Sequence, residues 1–194
     1  MKKNHGFTLI ELMVAIAVML IMFTIGVPQY QRIVENNRRV DGINAIIGDL
    51  NLARTEAVKQ GMTVTICGSS DGLTCNTPNW ENGWIIFTDQ NRDAAINGVD
   101  TILVRKNGLP AGMTLRSVNF DSFSVVQYMP SGELRDTSGD NMDAGTFIVC
   151  DNEANNDTRA RAANINRLGR IMTARDTDAN NIRNDNLGND IVCP

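Results

Sequence analysis

The sequence predicts an α+β protein, one long N-terminal α-helix packed on an antiparallel β-sheet head. Three observations predict it. Leu12 to Val27 is apolar throughout except at Thr24 and Gly26. Apolar residues then recur at helical steps as far as Ala57. From Thr63 onward the period shortens to two, and clusters of Gly, Asn, Asp and Pro cut the chain into short runs.

The first element is Phe7 to Pro28. At about 1.5 Å rise per residue, a helix from Phe7 to Val27 is roughly 30 Å long, the thickness of a bilayer's hydrocarbon core. It is long enough to span a membrane. Lys2 and Lys3 stand ahead of it and set a positive-inside orientation, with the rest of the chain on the far side. Gly26-Val27-Pro28 is a poor signal-peptidase site, so the expected cut lies before the apolar run. Glu11 is the anomaly, because a carboxylate at that depth costs a few kcal/mol unless something neutralises it. A cut between Gly6 and Phe7 creates an ammonium group on Phe7 at nearly the same depth. That group can neutralise Glu11 of a neighbouring copy.

The run Gly6-Phe7-Thr8-Leu9-Ile10-Glu11, after a short basic leader and before an unbroken apolar helix, resembles the type III signal of type IV pilins and type II secretion pseudopilins. The resemblance implies cutting by prepilin peptidase after Gly6, N-methylation of Phe7, and a role for Glu11 in guiding subunits into a filament. It also implies a single-pass protein of the bacterial inner membrane, head in the periplasm, that later enters a filament at or near its tip. The small residues Ala15, Ala17 and Gly26 suit a helix that packs against helices of other pilins.

Beyond Pro28 the helical pattern continues but turns amphipathic. Ile33, Val40, Ile43, Ile47, Leu50, Ala53 and Ala57 form an apolar stripe, with Arg32, Glu35, Arg39, Asp49, Arg54 and Lys59 expected on the polar side. Pro28, close after Gly26, is expected to kink or locally unwind the helix. Gly42 and Gly48 lower its propensity, and Gly61 is a natural stop. The organisation that follows is a leader at 1–6, a membrane or filament-core helix at 7–28, an amphipathic helix at 29–61 and a β-rich head at 62–194. From Phe7 to about Gln60 the helix is roughly 80 Å long.

Strand candidates follow in order. Thr63 to Cys67 alternates cleanly, and Gly83 to Thr88 reads as a buried strand. Thr101 to Arg105, Met113 to Phe120, Phe123 to Tyr128, Thr146 to Cys150 and Ala163 to Met172 complete a set of about seven. Turn signals separate them at Ser70-Asp71-Gly72, Asn107-Gly108, Pro130-Ser131-Gly132 and Ser138-Gly139-Asp140. The run Val64 to Cys67, then Trp80-Glu81-Asn82-Gly83-Trp84-Ile85-Ile86-Phe87-Thr88-Asp89, and later Leu168-Gly169-Arg170, resemble the FimT/GspH branch of minor pilins and pseudopilins. Within that branch FimU-like minor pilins of type IV pili fit best, which implies the type IV pilin fold.

Composition narrows the chemistry. Loss of Lys2 and Lys3 with the leader takes the basic residues from 18 to 16 against 22 acidic, moving the formal net charge from -4 to -6. Such a chain is no generic nucleic-acid binder. The single histidine, His5, lies in the leader, so the mature chain carries no Ser-His-Asp, Cys-His or His-zinc chemistry. No carboxylate pair is singled out for acid–base work, so neither an enzyme nor a cofactor is expected. Cys67, Cys75, Cys150 and Cys193 lie on the exported side, and an even count there suggests two disulfides among three pairings. The local pairing, Cys67 with Cys75, closes a turn-rich loop and leaves Cys150 with Cys193 to tether the tail. The spacings do not suit a zinc site.

Three polar stretches need weighing. Asp89 to Asp100 has oxygen side chains at several calcium-loop positions, but Ala94 stands where an EF-hand loop needs Gly and Asp100 where it needs Glu. It reads as a hairpin loop turning at Asn97-Gly98, and no metal is expected. Residues 158–175 hold Arg159, Arg161, Arg167, Arg170 and Arg175 and no acidic residue. Such a strip can grip phosphates. FimT-like DNA receptors carry a Gly-Arg-x-Arg motif here, whereas Gly169-Arg170 is followed by Ile171-Met172, and no aromatic residue is present to stack on bases. These departures favour a solvated or subunit-facing strand over DNA as partner. The Asn- and Asp-rich tail from Asp176 to Asp190 would be disordered alone, and a disulfide at Cys193 is the expected reason for its order.

The resemblance and the residues together imply a minor pilin of a type IV pilus, present in low copy to initiate or cap the filament used in surface adhesion and twitching motility. Two alternatives are a GspH-like minor pseudopilin of type II secretion and a FimT-like DNA-binding minor pilin of natural transformation.

Overall fold

A computed structural model describes residues 8–137, 143–151 and 157–193. The turn expected at Ser138-Gly139-Asp140 lies outside them. Among the described residues one α-helix, α1, runs Leu9–Gln60, and nine strands follow. By contact, the chain forms two units, Met1–Asn37 and Arg38–Pro194. In the second, β1 (Val64–Gly68), β2 (Gly83–Thr88), β3 (Ile102–Asn107), β5 (Val125–Tyr128) and β6 (Leu134–Arg135) make a five-stranded sheet in the order β3-β2-β1-β5-β6. A four-stranded sheet, β4-β7-β8-β9, contains β4 (Met113–Val118), β7 (Gly145–Asp151), β8 (Arg161–Ile165) and β9 (Ile171–Thr173). All neighbouring strands are antiparallel.

The two sheets share one core, and the helix segment from Arg38 to Gln60 supplies its common wall. Ile43, Ile46, Leu50, Ala53 and Ala57 pack with Val64, Ile66, Trp84 and Ile86 of the first sheet and with Leu115, Phe147, Val149 and Ile165 of the second. Trp80 stands between them, its ring edge-on to Phe147 at 4.9 Å and its Nε1 donating to Phe123 O at 2.9 Å. Gly42 is buried where an added Cβ would lie 3.3 Å from Leu109, so this glycine lets the helix approach closely.

Both faces of the central strands are covered, which is why β2 reads as a continuous apolar run. Ile85 and Phe87 face outward into a small cluster with Cys67 and Val125, roofed by Cys75, Ala94 and Ile96. On the second sheet, Ile148, Cys150, Ala162 and Ala174 are covered by Ile182, Ile191 and Cys193 of the tail.

Four expectations need correction. Pro28 stays inside an unbroken helix; it forfeits one backbone bond, which the flanking turns tolerate. Arg39 and Asp49, expected on the polar side, are buried, Ile46 joins the core with Ile47 half-buried against it, and Ile33, expected on the apolar stripe, is exposed. Each buried charge has a partner that sequence does not reveal. Arg39 forms an ion pair with Asp151 at the end of β7. Asp49 accepts Trp84 Nε1 at 2.8 Å and lies 3.7 Å from Lys106 Nζ. The run Ala163 to Met172 is a hairpin, β8 and β9, turning at Asn166 to Gly169. Gly169 has φ +70°, and a Cβ there would meet Gly132 O at 2.2 Å, so only glycine fits. The two-residue β6 was too short to show a period.

Removing one partner of a buried ion pair strands the other charge in the core. Arg39→Ala is therefore expected to destabilise the head by about 3–5 kcal/mol, whereas Arg39→Met combined with Asp151→Leu costs far less. Thermal unfolding followed by the near-ultraviolet circular dichroism of Trp80 and Trp84 checks this; equal losses in both variants would remove the pair from the account.

Candidate functional site

In the N-terminal unit every described side chain from Thr8 to Ile33 is exposed. The segment is long and apolar enough to cross a membrane, and none of its most apolar stretch is buried within the chain. Gly26 has open space beside it, between Met22, Phe23 and Tyr30 on the helix surface, a place where a neighbouring helix can approach. Gly6 and Phe7 lie outside the described residues. Glu11 and Thr8 form a reciprocal cap on the first turn. Thr8 N donates to Glu11 Oε2 at 3.4 Å, and Glu11 N donates to Thr8 Oγ1 at 3.3 Å. This is a capping box. The Thr-x-x-Glu spacing was visible in the sequence, but reading Glu11 only as a charge passed over it.

The arginines do not form one strip. Arg167 and Arg170 flank the β8–β9 turn, while Arg161 opens β8 and Arg175 follows β9 at the other end of the hairpin. Arg159 closes a 3-10 turn at Asp157–Arg159. Arg183 adds a further cation near Arg161, and burial first, then that proximity, lowers its guanidinium below the usual arginine range. Sequence reasoning missed Arg183, which lies in the tail and donates to Ala160 O at 2.8 Å. Arg54, expected only on the polar side of the helix, donates from Nε to Gly132 O and from Nη2 to Leu168 O, both at 3.0 Å. Arg54 thus ties the β5–β6 and β8–β9 turns to the helix.

Cys67 is bonded to Cys75 and Cys150 to Cys193. Within the first loop, Asp71 accepts from Leu73 N, Thr74 N and the Thr74 and Ser69 hydroxyls. These donors, the Thr74 hydroxyl first, hold its carboxyl well below the usual carboxylate range. The tail has a second anchor besides its disulfide. Asn184 is buried, receives Thr177 N and Oγ1 at 2.7 Å on its own Oδ1, and donates from Nδ2 to Asp190 at 3.1 Å.

In the loop from Asp89 to Asp100, Asp89 is fully buried, and its carboxylate accepts from Thr65 Oγ1, Gln127 Nε2, Asp93 N and Ala94 N. Those oxygens fasten the loop to the sheet. Asp143 is half-buried, and burial, reinforced by Asp121 and Asp136, raises its carboxyl above the usual range.

A long N-terminal helix laid on antiparallel sheets is the type IV pilin fold. The P. aeruginosa type IV minor pilin FimU superposes with a TM-score of 0.50 at 19% identity, over 70% of this chain and 91% of that one. The family described as Type II transport protein GspH matches residues 42–169, and the Prokaryotic N-terminal methylation motif matches residues 1–27. The chain belongs to the GspH family of minor pilins and pseudopilins. Prepilin peptidase-dependent protein D of Escherichia coli K12 is 29% identical over 66% of this chain and 91% of its own length. A probable minor fimbrial protein of Dichelobacter nodosus is 37% identical over 37% of this chain; the match spans 44% of that relative.

The two disulfides span 8 and 43 residues. Chain-entropy reasoning assigns about 2.5 kcal/mol to the shorter loop and about 4 kcal/mol to the longer. Replacing Cys150 and Cys193 by serine should therefore lower the denaturation midpoint of the head more than replacing Cys67 and Cys75, a ranking that urea titration of both double variants tests.

Proposed function

We propose that the chain is a low-copy subunit of a type IV pilus that helps initiate or cap the filament used for surface adhesion and twitching motility. In this reading residues 1–6 are a leader cut after Gly6 by prepilin peptidase, and Phe7 becomes the N-methylated terminus. The helix over 7–28 anchors the subunit in the inner membrane and then joins other pilin helices, while 29–61 carries the periplasmic head of 62–194 toward the filament tip.

One observation carries the reading. The methylation motif stands at the start of a helix whose apolar side chains find no cover within their own unit. Lipid covers them before assembly, and neighbouring helices cover them afterwards. The name of the E. coli relative, a prepilin peptidase-dependent protein, supports the cut at Gly6, and that of the D. nodosus relative supports the pilus. The family description favours a second reading, a minor pseudopilin of type II secretion. Division of the arginines between two ends of a hairpin weakens the DNA-receptor reading.

Deleting the gene and comparing sheared surface pili, secreted protein and DNA uptake separates these readings. Loss of pili restored by the intact gene supports the pilus role, normal pili with failed secretion supports the pseudopilin, and normal pili with failed uptake returns the arginines to the centre.

Point variants test the motif itself. Gly6→Ala should leave the leader uncut. Glu11→Val should be processed normally yet enter filaments poorly. Glu11→Gln keeps an acceptor for Thr8 N but removes the charge, so an equal loss assigns the effect to charge. Normal assembly of the glutamine variant would assign it to the helix cap and end the neutralisation argument.

A further inference from the structure

The two sheets present four edges, and three of them are occupied or guarded. Along β4 lies the 3-10 turn Trp80–Asn82, where Glu81 forms an ion pair with Arg116 and accepts Leu115 N at 3.4 Å. At β6, Leu134 N donates to Arg167 O at 3.0 Å. Strand β3 carries Arg105 and Lys106, and Arg105 Nε donates to Gly72 O at 2.9 Å. Charged residues on an edge discourage pairing.

The fourth edge, β9, is open. Its ladder with β8 pairs Ala163 with Thr173 and Ile165 with Ile171, and is bounded by bonds from Ala174 N to Ala162 O and from Asn166 N to Arg170 O. Backbone groups of an antiparallel strand alternate between facing the partner and facing away. Ile171 and Thr173 therefore turn their N–H and C=O groups outward, and no described residue bonds to them. The next outward carbonyl, that of Arg175, is taken by Asn184 N at 2.9 Å, where the tail meets the strand.

Chemistry beside this edge selects an occupant. A groove of about 550 Å³ runs between β9 and the loop at 184–188, lined by Met172, Thr173, Arg175 and Asp185. Met172 is 53% exposed and Leu168 51%. Arg167, Arg170 and Arg175 are exposed around the strand, in a stretch without acidic residues on a chain of net charge -4. Asp185, the acid on the far wall, is committed to its surroundings, accepting from Leu187 N, Asn189 N and Asn119 Nδ2.

We propose that β9 receives an extended, acidic segment of another protein subunit, which adds to the second sheet as a fifth strand. Its backbone bonds to Ile171 and Thr173, an apolar side chain lies beside Met172, and its carboxylates meet Arg167, Arg170 and Arg175. Main-chain bonds supply affinity and alternate side chains supply specificity in this mode of recognition. The proposal extends the assembly reading without depending on the N-terminal helix.

The test uses the full chain in detergent micelles and a blocked hexapeptide alternating aspartate with valine. Controls are the same peptide N-methylated along one edge, a lysine-for-aspartate version, and a thymidine oligonucleotide. The acidic peptide should bind and slow hydrogen exchange at the Ile171 and Thr173 amides. N-methylation and Thr173→Pro, which removes an outward donor but no bond to β8, should each weaken binding roughly fivefold to tenfold. Arg167→Glu with Arg170→Glu should shift preference to the lysine peptide, and this arm holds even if the proline variant melts early. Absence of protection at Ile171 and Thr173, equal binding of the lysine peptide, or binding of the oligonucleotide alone overturns the proposal. Such failures leave assembly through the helix as it stands, because that is read from filament incorporation.

Discussion

Two sheets share one core because a single helix face lies against both, and three polar contacts set where it lies. Hydrophobic burial by Leu50, Ala53 and Ala57 is strong but carries no direction, so it does not by itself choose among small slides of the helix. Arg39 reaches the end of β7 in the second sheet, and Asp49 reaches Trp84 of the first. Each is costly to bury without its partner, so a slide of the helix would strand two charges at once. Arg54 adds a third contact, donating from one guanidinium to carbonyls of two separate turns.

From that wall outward, each sheet needs a cover for its second face, and this chain supplies covers with little apolar residue of its own. The first sheet is roofed by the Cys67–Cys75 loop and by the loop after β2, which Asp89 fastens from beneath. On the second, a polar tail is held by one disulfide, by Ile191 and by Asn184. Side-chain oxygens that cap nearby backbone N–H groups recur in both covers, which lets Asn- and Asp-rich segments keep a fixed path without a core.

The two units thus divide the labour by solvent. Up to Ile33 the described helix is exposed and mostly apolar, and it is long and apolar enough to cross a membrane. From Arg38 on, the same helix is half-buried in its own head. Family membership and fold agree with that division; the proposed assembly uses the apolar wall and Glu11, and the proposed strand addition uses the open edge of β9.

The α+β class, the long apolar start of the helix, the stop at Gly61 and most strands were legible in the sequence because each rests on local patterning: an apolar run, a period of two, a glycine at positive φ. The Thr8 and Glu11 cap was equally legible, being three residues apart. Other features depend on residues distant in the chain. That Arg39 and Asp49 lie in the core follows only from Asp151 and Trp84, which the fold brings to them. The turn dividing β8 from β9 had signals in Asn166 and Gly169 that were passed over when the run was read as one strand; contact of Gly169 with Gly132 fixes it in place. Order in the tail, the separation of the arginines and the open edge at Ile171 and Thr173 are likewise matters of which segments become neighbours. Periodicity states which face of a segment is apolar, whereas only the assembled sheets determine what meets it.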